Sequence, residues 1–143
     1  FEVFLYKNKT IILDVAHNES AFEMLFKEIN QKYSNKKIAS IFAMLDTKDI
    51  SSCAKILAKN CFRINLLDIF TKKAFLKENV LQLFHKLGCK ERVNICTTID
   101  DAIKNSLDSD VIVICGTFNL MEKAREFFGE KIDVDSKELL SRI

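Results

Sequence analysis

Residues 110–115, DVIVIC, limit the fold more than any other stretch of this chain. Val111 to Cys115 are apolar without a break, so the run has no polar face to turn toward water. A strand with one wet face alternates; a strand apolar on both faces belongs in a parallel sheet with helices above and below. Gly116-Thr117 ends the run, and Asn119 to Phe128 then reads as a helix stopping at Gly129.

The remaining chain has the same rhythm. Phe1 to Tyr6 and Thr10 to Ala16 flank Lys7-Asn8-Lys9 and predict a hairpin. Phe22, Leu25, Phe26 and Ile29 recur at helical spacing, with Asn18 or Ser20 as the cap. A strand over 38–44, a loop over 45–49 and a helix with Ile50, Cys53, Ala54 and Leu57 on one face follow. Next come a strand over 61–66 and a helix using Val80, Leu83, Phe84 and Leu87 and stopping at Gly88. A strand over 92–97, a short helix over 100–107 and a terminal helix over 136–143 complete the pattern. The expected fold is α/β: a Rossmann-like three-layer domain with about six strands, mainly parallel, and an antiparallel N-terminal edge.

Composition excludes several function classes. The 143 residues suffice for one domain with a real core, and three glycines with no proline leave no linker to divide it. The 22 basic and 20 acidic residues are scattered, so no basic stripe points to nucleic acid, and no long apolar run points to a membrane. The five cysteines are odd in number and lack CxxC spacing, which reads as reduced core thiols of a cytoplasmic protein rather than a zinc site. Because the chain opens without methionine inside a strand-like run, it reads as a domain of something larger.

Ligands of such sheets bind beyond the carboxyl ends of the strands. Asp14, His17, Asn18, the 45–49 loop and Gly116-Thr117 all follow predicted parallel strands and are expected to share one rim. Asp14 suits ribose hydroxyls or a metal; His17 suits a phosphate or carboxylate. Gly116 lets a ligand approach the backbone, and Thr117 presents a hydroxyl and an amide at a helix start. Asn18, Thr117 and Asp49 also read as plain helix caps. The chain has no GxGxxG, GxxxxGK[ST] or serine elbow, and its rim lacks the extra acidic residues of a phosphoacceptor receiver. His85 borders an apolar face and is expected in solvent. The twelve phenylalanines read as core or domain-interface residues, not as a platform for bases.

These residues carry a resemblance. LDVAHN at 13–18 is similar to the LDxAHNP motif that opens the C-terminal domain of folylpolyglutamate and dihydrofolate synthases, in the Mur ligase superfamily. In register, FAMLDTKD at 42–49 resembles that family's strand and DKD loop, and TKKA at 71–74 stands where a P-R-A segment often falls. VIVICGTFNL at 111–120 resembles V-x-V-x-G-S-x-Y-L, so the likeness runs from about Ile11 to Phe128. Glu19 replaces the motif's proline, Thr47 the first aspartate of DKD, Thr117 a serine and Lys73 an arginine, which loses the forked guanidinium.

The resemblance implies the C-terminal domain of a bifunctional folylpolyglutamate/dihydrofolate synthase, an ATP-dependent amide-bond ligase. There MgATP phosphorylates a folate or dihydropteroate carboxylate, and the amine of L-glutamate attacks the acyl phosphate. By the same resemblance, Asp14 and His17 are the catalytic pair. Asp14 and Asn18 contact ATP, His17 and Thr117 position glutamate, and Lys48, Asp49 and Lys73 are further candidates. Mg2+ is expected mainly on a preceding P-loop ATPase domain absent from this chain, the partner over which this domain closes. The chain alone is then expected to be inactive. A peptidoglycan-precursor Mur ligase and a non-catalytic α/β binding module are the alternative readings.

Overall fold

The computed structural model describes residues 1–43, 50–67, 77–129 and 131. Strands β1 (Glu2–Tyr6) and β2 (Lys9–Asp14) form the expected hairpin, with Tyr6 opposite Lys9. Lys7 and Asn8 between them both take positive φ, 49° and 63°, the tight turn whose twist matches that of its strands. Helix α1 (Glu19–Lys32), strand β3 (Ile38–Phe42), helix α2 (Ile50–Asn60) and strand β4 (Arg63–Leu67) follow. After them come α3 (Lys77–Lys86), β5 (Val93–Cys96), α4 (Ile99–Lys104), β6 (Val111–Cys115) and α5 (Phe118–Phe128).

The six strands lie in the order β1-β2-β6-β3-β4-β5, and every pairing except β1 with β2 is parallel. β6 occupies the covered position that its sequence demands. Val111, Val113 and Cys115 face one core, where α1, α2 and α3 contribute Phe22, Phe26, Leu57 and Phe84. Ile112 and Ile114 face the other, where α4 and α5 contribute Ile103, Leu120, Met121 and Phe128. The period of two along the strand thus distributes its side chains between two helical layers.

This order has a functional consequence. The helices after β2 and β3 pack on one face, while the helix after β6, which lies between those strands, packs on the other. Chains leaving adjacent strands toward opposite faces open a crevice at the strand ends, the place where open α/β sheets hold ligands. The hairpin braces one side of it: Phe4 and Tyr6 set their rings edge-on to Phe128 at 4.9 and 5.3 Å, and Glu2 pairs with Arg125.

Several boundaries move. β2 stops at Asp14, β5 spans only 93–96, α4 covers 99–104 with Thr98 as its cap, and α5 starts one residue early, at Phe118. α3 ends at Lys86, so Leu87 is exposed rather than part of the apolar face. Gly88, at φ +79°, turns the chain so that the Cys89 N–H reaches the Phe84 carbonyl at 3.0 Å and Cys89 becomes the buried residue instead. The expected terminal helix over 136–143 lies outside the described residues. His85 is exposed, as expected.

Candidate functional site

Three parallel strands end level with one another: Asp14 of β2 lies opposite Cys115 of β6, which lies opposite Phe42 of β3. The residues that follow these ends therefore form one rim, which brings Asp14, His17, Asn18, Gly116 and Thr117 to the crevice mouth.

Asp14 is held by its own turn. Oδ1 accepts the Ala16 N–H at 2.8 Å, and Oδ2 lies 3.4 Å from the backbone nitrogen of Phe1. The side chain is 20% exposed, and a carboxylate has more lone pairs than these two contacts use. His17 is exposed, with Nδ1 3.1 Å from the Val15 carbonyl oxygen. A carbonyl only accepts, so Nδ1 carries the proton; Nε2 is then an acceptor in the neutral ring and a donor in the imidazolium. Asn18 caps α1, its Oδ1 accepting the Ala21 N–H at 2.9 Å. Glu19 is the first residue of α1, where a carboxylate meets the positive end of the helix dipole, so the chain accommodates it in place of proline.

Gly116 has a structural cause of its own. Its φ is +123°, and an added Cβ would sit 1.7 Å from the Ala43 carbonyl oxygen. The close approach of the backbone at Ala43 is by itself enough to require glycine here. Thr117 caps α5: Oγ1 accepts the Leu120 N–H at 3.1 Å, and the residue is buried. Its hydroxyl proton is a separate capability, since a hydroxyl accepts and donates at once. Lys48, Asp49, Thr47 and Lys73 lie outside the described residues.

The crevice has no activated thiol. None of the five cysteines is in a disulfide, and all five are buried. Burial pushes the Cys61 thiol up to about 12, against the lowering influence of the Ser40 hydroxyl and of Arg92. Cys115 is raised well above the usual thiol range by burial first, then by Cys61, Asp14 and Cys53. Among the described residues, no group of three or more His, Cys, Asp or Glu is placed to hold a metal ion, and no helix is long and apolar enough to cross a membrane. What the rim offers is a carboxylate, an imidazole and a hydroxyl on fixed backbone. Sequence reasoning placed these residues together but passed over Phe118, which is 69% exposed at the first position of α5. A single apolar residue between a cap and a helix gives no sequence signal of exposure.

Fold and rim together define an α/β domain with polar residues gathered at the carboxyl ends of adjacent parallel strands. The model of the Mur ligase glutamate ligase domain family matches residues 1–118, and the chain belongs to that family. It is 23% identical over 132 residues to the dihydrofolate synthase/folylpolyglutamate synthase of Buchnera aphidicola, covering 92% of this chain and 31% of that protein. The fold superposes on folylpolyglutamate synthase from Thermotoga maritima with a TM-score of 0.79 at 20% identity, covering 96% of this chain and 32% of that one. It superposes on Escherichia coli FolC in complex with DHPP and ADP with a TM-score of 0.76 at 18% identity, covering 90% and 30%. The chain thus spans about a third of the length of these relatives.

Proposed function

We propose that this chain is the C-terminal domain of a folylpolyglutamate/dihydrofolate synthase, and that it completes the site where ATP and L-glutamate meet a folate or dihydropteroate carboxylate. The observation that carries the reading is the family match over residues 1–118, which takes in Asp14, His17 and Thr117. The relatives named above are all synthases of this type, which favours it over the peptidoglycan-precursor alternative and over a non-catalytic module.

In the proposed reaction the substrate carboxylate takes the γ-phosphoryl group of ATP, releasing ADP. The glutamate amine then attacks the acyl carbon and phosphate leaves with its bonding pair. An amine loses a proton on forming the amide, and a neutral His17 Nε2 is an acceptor of the right kind to take it. Asp14 offers an oxygen to ribose hydroxyls. Thr117, whose lone pair is used by Leu120, offers its hydroxyl proton to a glutamate carboxylate. Asn18 spends its Oδ1 on the cap, which fixes the turn that carries His17, and keeps its Nδ2 donors for the nucleotide.

Mg2+ would neutralise the phosphates in such a reaction. Among the described residues no carboxylate cluster is placed for the ion, which this reading assigns mainly to a preceding ATPase domain. The buried free cysteines support a cytoplasmic setting. The test is an assay of the full-length protein with MgATP, glutamate and either dihydropteroate or a reduced folate. Glutamate-dependent ADP release with either acceptor supports the proposal; release only with a nucleotide-sugar peptide, or with none of them, contradicts it.

A further inference from the structure

Phe118 is the most exposed aromatic side chain among the described residues, ahead of Phe1 at 44%. Phe4, Tyr6, Phe22, Phe42 and Phe128 are buried and pair ring to ring, while Phe118 is 69% exposed and enters no aromatic pair among the described residues. Among the described residues, the other large apolar side chain more than half exposed, Met24 at 73%, lies inside α1. Phe118 instead follows Thr117 directly at the crevice mouth.

Its backbone is fixed from every side. Cys115 is in register with both Asp14 and Phe42, Gly116 is wedged against Ala43, and Thr117 is locked as a cap. From Leu120 onward α5 is anchored by buried Leu120, Met121, Ala124 and Phe128. Side chains on a helix tilt toward its N-terminus, so a residue at the first helical position leans toward the crevice rather than along the helix flank. A rigidly presented, solvent-exposed ring at the place where such sheets hold ligands is suited to stack on a flat partner.

We propose that Phe118 is a positioning residue that stacks on a planar heteroaromatic ring of a ligand seated in the crevice. This revises the reading of all the phenylalanines as core or domain interface, and it rests on the function proposed above. Two ligands of that reaction carry such a ring, the adenine of the nucleotide and the pterin of the acceptor.

The experiment uses the full-length enzyme, with KM and kcat measured separately for ATP and for dihydropteroate, a direct titration of ADP binding, and melting curves. Phe118→Leu keeps an apolar side chain but loses the flat face; Phe118→Tyr keeps both. Stacking requires that Phe118→Leu raise one KM about threefold to tenfold while Phe118→Tyr stays near wild type, with melting unchanged in both. A rise in the ATP KM with matching weaker ADP binding assigns adenine; a rise confined to dihydropteroate assigns the pterin. If Phe118→Leu behaves as wild type in both, or lowers only the melting temperature, the ring is a packing contact and the inference is overturned. Wild-type enzyme without ligase turnover removes the proposed function instead, and ADP binding to Phe118→Leu still reads the adenine arm.

Discussion

Gly116 and the carbonyl oxygen of Ala43 meet so closely that a methyl group between them would stand 1.7 Å from the oxygen. The clash partner is backbone, held by the pairing of Phe42 with Cys115, and the Ala43 N–H returns to the Cys115 carbonyl at 3.4 Å. Neither side yields cheaply. Gly116→Ala is therefore expected to destabilise by at least about 3 kcal/mol, from the steric conflict and the positive φ together. Denaturant unfolding checks this; a loss under 1 kcal/mol would show that β3 and β6 separate at their ends.

The cap at Thr117 and its proposed contact with glutamate can be separated by substitution. As a cap it serves α5, and Thr117→Val is expected to cost about 1 kcal/mol of stability while Thr117→Ser costs little. As a donor to glutamate in the full-length enzyme, its loss in Thr117→Val is expected to raise the glutamate KM about threefold to tenfold, with Thr117→Ser again close to wild type. If Thr117→Val lowers the melting temperature yet leaves glutamate kinetics alone, Thr117 is a cap only.

The strand-and-helix rhythm was legible because it is set by local periodicity, and the covering of β6 on both faces because an unbroken apolar run has no side to turn toward water. The sharing of one rim by Asp14, His17 and Thr117 followed from the general rule for parallel sheets. Other features depended on tertiary neighbours that no short window contains. Gly116 was read only as room for a ligand, and its contact with the backbone at Ala43 emerged once β3 lay beside it; Leu87 fitted helical spacing until Gly88 turned the chain early. The exposure of Phe118 depends on where α5 meets the sheet. Asn18 and Thr117 were read both as ligand contacts and as caps; the structure establishes the caps.

The thiols give an alkaline signature. With Cys61 raised from 9.0 to about 12 in the folded chain, the native state holds its proton more tightly than the unfolded state does. Stability from this group is then complete below about pH 9 and is lost as pH climbs from there toward 12, because the unfolded thiol ionises first. The shift of Cys115 in the same direction adds to the loss. Native protein at pH 8 is expected to react with an aromatic disulfide reagent at fewer than one of its five cysteines, and at all five in denaturant. Rapid native labelling of two or more would mean that these thiols are not buried as described.

The most direct test of the central claim compares the full-length enzyme with its Asp14→Ala and His17→Ala variants. Both residues sit at the crevice mouth on backbone held by strand ends and turns, and removing a rim side chain outside the core typically changes stability by less than about 1 kcal/mol. Glutamate-dependent ADP release, measured beside a melting curve, is expected to fall at least about tenfold in each variant while the melting temperature stays within a few degrees. Full turnover in both variants, or loss of turnover only in step with loss of folding, would contradict the assignment of this rim to the ligase site.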